Sequence, residues 1–189
     1  MEREKNKKLG MSVVVLFAVV LATGWLGIEI KQINEAYPQV RFVDVERNAV
    51  AEVQPGVNMN IVDTTMFSME EAQRRYGEDF VEEIGHNYSY RTIEVIVRLE
   101  NKTDDVQGVA LYDIYLEQED YCNGLAPEVF FGIGNETDYV TIEAGGELEV
   151  TLGYLIYKKQ FRANEWNSMM VEDFWIVRQR YLEKIRWKM

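Results

Sequence analysis

Alternation of apolar and polar residues with a period of two organises most of this chain after residue 38. In RTIEVIVRLE, Ile93, Val95, Val97 and Leu99 fall on one side and Thr92, Glu94 and Arg98 on the other, the pattern of a half-buried strand. GELEVTLGYLIY repeats it with Leu148, Val150, Leu152, Tyr154 and Ile156, and the terminal KIRWKM with Ile185, Trp187 and Met189. Shorter runs predict further strands over 40–46, 57–67, 109–118, 127–133 and 173–177. About seven or eight strands with few helices predict two antiparallel sheets packed face to face.

One stretch breaks the alternation with helix signals. Ser68 followed by Glu71 is a capping box, and Gly77 suits the conformation that ends a helix, so the spacing predicts a helix over 69–76. DFVEEIG at 79–85 predicts a second short one. AGG at 144–146 and NKTDD at 101–105 punctuate the strands as turns.

The N-terminus follows a different rule. Leu9 to Ile28 is an uncharged run of 20 residues, which as a helix would reach about 30 Å, the thickness of a bilayer's hydrocarbon core. Arg3, Lys5, Lys7 and Lys8 precede it, whereas Glu29, Lys31 and Glu35 follow without cationic excess, so the positive-inside rule predicts a cytoplasmic N-terminus and an exported body. Trp25 fits an interfacial anchor near the outer end. The predicted organisation is a cytoplasmic tail (1–8), a transmembrane signal anchor (9–28), a polar stalk (29–38) and an extracytoplasmic domain (39–189). Cleavage after Ala22 is the rival reading; the apolar run continues past it through Trp25, Leu26 and Ile28.

With that order on the page, the chain resembles the membrane-anchored, immunoglobulin-like (telokin-like) domains of unknown function from Gram-positive bacteria. The likeness rests on the single span, the short helix ending in Tyr76-Gly77, RTIEVIVRLENKTDD, TIEAGGELEVTLGYLI and the closing EKIRWKM. It covers roughly residues 38–189 and implies an immunoglobulin-like antiparallel β-sandwich. It lends no catalytic residues.

Charge narrows the partners. The chain carries −12, and residues 30–189 hold 16 basic against 29 acidic side chains, a field that repels phosphate backbones and makes nucleic acid a poor partner. Hydrophobic residues at 47% are enough to bury a core. A single cysteine excludes an internal disulfide and a cysteine-based zinc site.

Candidate chemistry is sparse. Cys122 sits among Glu117, Glu119, Asp120 and Glu128, charges that disfavour a thiolate, so it reads as a packed, inert thiol. His86 has no second histidine to work with. Gly132-Ile133-Gly134-Asn135 lacks the spacing of a phosphate loop. Asp104, Asp105, Glu117, Glu119, Asp120, Glu136 and Asp138 offer oxygen ligands of the kind calcium takes, but a solvated anionic surface explains them. Asn87, Asn101 and Asn135 begin glycosylation-type triplets that read as turns. Asp113, placed on an otherwise apolar strand face, is the residue to test for a carboxylate-dependent hydrolase.

Aromatic pairs carry the remaining signal. Phe130 with Phe131, and Phe174 with Trp175, are adjacent, so a strand would turn one of each pair outward. These four form the candidate interaction surface, and 121–135 reads as turn, strand and turn. The reading is a non-catalytic binding or accessory module without cofactor or metal, tethered to the plasma membrane and meeting a protein, peptide or cell-wall partner. A subunit of a membrane complex is the alternative; Gly10, Gly24 and Gly27 would allow close helix approach.

Overall fold

The computed structural model describes residues 20, 21, 23–77, 80, 84, 88–180 and 182–189. The chain divides into two units, Met1–Val40 and Arg41–Met189. In the first, residues 23–36 are helical, and Tyr37 N donates to Ile33 O at the end of the helix; the predicted stalk is thus helical as far as Ala36. Most of the predicted span lies outside the described residues, and among the described residues no helix is long and apolar enough to cross a membrane.

The second unit is mainly β, with eleven described strands. They are β1 (Arg41–Val45), β2 (Ala51–Gln54), β3 (Val57–Phe67), β4 (Tyr90–Asn101), β5 (Gln107–Ala110), β6 (Ile114–Gln118), β7 (Tyr121–Asn123), β8 (Tyr139–Ile142), β9 (Glu147–Tyr157), β10 (Trp175–Arg180) and β11 (Glu183–Lys188). A five-stranded sheet has the order β1-β11-β10-β6-β7, a four-stranded sheet the order β2-β3-β4-β9, and β5 pairs with β8. The alternations at 91–100, 146–157 and 184–189 are β4, β9 and β11, with Ile93, Val95, Val97, Leu99, Leu152, Tyr154, Ile156, Ile185 and Trp187 in one core shared by all three sheets.

Two expectations about the sheets need correction. The larger sheet is mixed, because β1 runs parallel to β11, Arg41 facing Glu183 and Val45 facing Trp187. Parallel neighbours require a long crossover, here nearly the whole unit, so no local pattern announces it. The predicted strand 109–118 is two strands joined by a 3-10 turn at Leu111–Asp113, which carries the chain from the small sheet into the mixed one.

The predicted helix is present as α1 (Met69–Tyr76), with both halves of the capping box made and Gly77 at φ 89°. Phe80 and Ile84 are helical; the rest of 79–85 lies outside the described residues except for those two. α1 covers the outer face of the four-stranded sheet, where Ala72, Phe80, Ile84, Tyr90, Ala126, Val129 and Leu155 make a second core.

Residues 127–133 are the clearest reversal. They form α2 (Pro127–Gly132), not a strand. Pro127 fits a first helical turn, where its missing N–H costs nothing, and the buried Ala126, Val129 and Phe130 fall at helical spacing. Segment 158–173 folds as α3 (Ala163–Ser168) between two 3-10 turns, burying Trp166.

Candidate functional site

The stretch 121–135 has a definite job: it closes the free edge of β9. Asn123 Nδ2 donates to Leu155 O (3.0 Å), Ala126 N to Gly153 O (2.9 Å) and Asn135 Nδ2 to Thr151 O (2.9 Å). Three successive outward carbonyls are thereby satisfied, which blocks strand addition at this edge. Gly153 permits the approach, since a Cβ there would lie 2.7 Å from Val129 Cγ1 and 2.9 Å from Phe130 N.

The four aromatic residues singled out in the sequence separate. Phe130 and Phe174 are buried, whereas Phe131 is 48% exposed on α2 and Trp175 is half-buried on β10. Phe131 sits on the helix beside β9, and Trp175 faces outward on the mixed sheet, so no single patch is built from these residues.

The outward face of the mixed sheet gathers other side chains. Cross-strand register places Cys122, Glu117, Trp175 and Lys188 in one row, and Tyr115, Val177, Arg186 and Asp44 in the next. Arg186 is held by Asp44 through two hydrogen bonds of 2.7 and 2.8 Å, and its guanidinium lies 4.7 Å from the Phe42 ring centre and 5.0 Å from that of Trp175. Beside this stack is a cleft of about 470 Å3 lined by Asp113, Tyr115, Glu117, Cys122, Val177, Gln179 and Lys184. Val177 is its buried apolar floor.

The acidic walls are ion-paired. Asp113 pairs with Arg178 at 3.1 Å, and Arg178 also donates to Ala110 O. Lys184 Nζ forms an ion pair with Glu117 Oε2 at 2.6 Å.

Cys122 is exposed, not packed, because its short edge strand turns the thiol to the outer face. Partial burial, then the Glu117 carboxylate, push the thiol above its ordinary value, with Lys184 opposing. Asp113 lies on the 3-10 turn, not on an apolar strand face, and its ion pair accounts for it. Glu119 and Asp120 line a second cleft of about 460 Å3 together with Lys159 and Arg162. Among the described residues no three His, Cys, Asp or Glu side chains are placed to hold a metal ion, so the acidic turns do not converge. His86 and Asn87 lie outside the described residues.

Two asparagines of the glycosylation-type triplets are spent on turns. Asn101 is buried and donates to Asp105 O (2.7 Å), Ile142 O (3.1 Å) and Glu143 O (3.0 Å). Asn135 also donates to Phe130 O.

Sequence reasoning also missed Glu94, which reads as a solvent-side residue of β4. It is 6% exposed beneath α1, where Arg75 Nη2 donates to it at 2.7 Å and Tyr76 Oη at 2.7 Å. Burial raises the Tyr76 phenol well above its ordinary range. Arg75 and Tyr76, adjacent in the last turn of α1, were the only available hint.

No curated protein and no solved structure matches the chain. The model of a family described as "Domain of unknown function (DUF5028)" matches residues 34–181, which takes in every described strand of the second unit except β11. The chain belongs to the DUF5028 family.

Proposed function

We propose that the protein is a non-catalytic recognition module, an immunoglobulin-like β-sandwich held on the outer side of a membrane by a helix over residues 9–28. The sheet pairing and shared core described above support the sandwich; the uncharged run and the cations before it support the anchor and its orientation. The resemblance to tethered immunoglobulin-like domains of Gram-positive bacteria supports the cellular setting.

One observation carries the recognition role: the solvent-open cleft on the outward face of the mixed sheet, lined by Tyr115, Gln179, Cys122 and the ion pair of Glu117 with Lys184. Faces of this kind bind by shape and by a few placed polar groups. The closed edge of β9 argues against peptide addition there and directs recognition to the sheet face. The chemistry around Cys122 and Asp113 favours contact over catalysis: the thiol is biased toward its protonated form and the carboxylate is committed to Arg178.

The test is cross-linking in intact cells, comparing the full chain with residues 30–189 on an unrelated membrane anchor. The expected result is one partner captured by both and lost from both on Gln179→Arg, at an exposed position on the rim. Capture by the full chain alone would place specificity in the span and overturn the proposal.

A further inference from the structure

We infer that the helix leaving the membrane docks on a second copy of itself, in parallel, along a seam of Leu26, Ile30, Ile33 and Tyr37. The inference rests on the anchor of the proposed function and adds an occupant for the stalk: another copy of this chain.

The seam emerges where the chain leaves the apolar run. Residues 29–37 read EIKQINEAY, and the large apolar residues among them, Ile30, Ile33 and Tyr37, are spaced by three and then four. Leu26 stands four before Ile30, so 26, 30, 33 and 37 continue one stripe with the 3.5-residue period of coiled-coil core positions. The chain is helical over 23–36, and the bond from Tyr37 N to Ile33 O keeps Tyr37 in the helical register. All four seam residues are exposed, at 52% for Leu26, 57% for Ile30, 54% for Ile33 and 78% for Tyr37. Lys31, Gln32, Asn34 and Glu35 fill the positions between them, and Lys31 pairs with Glu35 at 3.7 Å on the side away from the stripe.

Lipid does not reach the whole stripe. With the hydrocarbon edge at Ile28, Ile33 rises about 7.5 Å above it and Tyr37 about 13.5 Å, whereas the head-group layer on each side is about 5 to 8 Å thick. A second copy does reach it. Both copies cross the bilayer with the same orientation and at the same depth, so their helices are parallel and each seam residue meets its own counterpart at the same height. The flanking charges agree with self-pairing: Glu29, beside the stripe, faces Asn34 of the second copy, and no two like charges meet across the seam. Leu26 and Ile30 also occupy the alternate core positions in the arrangement, leucine at one and β-branched isoleucine at the other, that favours two parallel strands. An unlike helix would have to bring a matching stripe to this height, whereas a second copy brings it by construction.

The test is cysteine scanning of the full chain in cell membranes. Cys122, the only cysteine in the sequence, is first replaced (Cys122→Ser), single cysteines are then introduced from Glu29→Cys to Tyr37→Cys, and the membranes are oxidised with copper phenanthroline. A disulfide needs Cα atoms within about 7 Å, so dimer at Ile30→Cys, Ile33→Cys and Tyr37→Cys should exceed that at Lys31→Cys, Gln32→Cys and Glu35→Cys at least about fivefold. Adding Ile30→Lys and Ile33→Lys to the Tyr37→Cys chain should remove most of its dimer. Equal dimer at every position overturns the inference, as does no dimer at any position, survival of the dimer with both lysines, or cross-linking only to a protein of another mass. Washing the membranes with alkaline carbonate separates the two readings: a chain that stays in the membrane without periodic cross-links removes the pairing and leaves the anchor, and a chain that is released removes both.

Discussion

Replacing Gly153 by alanine tests the closure of β9 at its tightest point. The added methyl would sit 2.7 Å from Val129 Cγ1, 2.9 Å from Phe130 N and 3.1 Å from Phe130 Cα, against an ordinary carbon contact of about 3.5 to 4.0 Å. Two of those atoms are backbone, so relief requires α2 to retreat by roughly an ångström rather than a side chain to rotate. Overpacking of that kind costs about 1 to 3 kcal/mol, and the retreat weakens the bond from Ala126 N to Gly153 O, worth about 1 kcal/mol. A total near 2 to 4 kcal/mol lowers the melting temperature by about 4 to 15 °C in a domain of this size. Thermal unfolding followed by circular dichroism reads it, with Gly124→Ala as the control, since nothing lies within 4 Å of a Cβ there. Because retreat uncovers the β9 edge, the variant should also associate at concentrations where the parent does not. A Gly153→Ala protein that melts within a degree of the Gly124→Ala control would refute the argument that this segment is held against β9.

Three further outcomes are expected. Arg75→Ala leaves the Glu94 carboxylate beneath α1 with only Tyr76 as donor; because Arg75 is itself about half exposed, the cost is discounted to about 2 kcal/mol, and Arg75→Ala/Glu94→Leu should recover part of it in urea unfolding. Asn101→Ala strips donors from three carbonyls in the turn joining β4, β5 and β8 and should cost about 2 to 3 kcal/mol, whereas Asn101→Asp, which keeps the acceptor but not the donors, should rescue little; an unchanged unfolding midpoint for either would count against the turn. In alkylation against pH, Cys122 should reach its half-maximal rate above the pH of a free thiol. Glu117→Gln removes a charge that raises the thiol and should shift that midpoint down, while Lys184→Met removes one that lowers it and should shift it up; shifts of the opposite sign would show that the thiol does not feel this pair.

The sequence alone specified what repeats locally. Alternation with a period of two is imposed by strand geometry, so β4, β9 and β11 were readable from their own residues, and the capping box over Ser68 and Glu71 marked α1 because both partners lie within one turn. The uncharged run and the acidic composition were equally plain, being sums over residues that need no fold. Contacts between distant segments were decided only by tertiary structure. Phe130-Phe131 reads as strand until Gly153 makes room for a helix beside β9, and an apolar run as short as Val129–Ile133 does not discriminate between the two by period. Glu94 looks like a solvated strand residue until α1 lays Arg75 and Tyr76 over it. Cys122 looks packed until the short β7 turns it outward, and the cleft it borders draws its wall from β6, β7, β10 and β11, brought together by pairing that no stretch of the chain encodes by itself. Long-range pairing depends on which faces must be buried against which others, and that choice is made by the whole core at once.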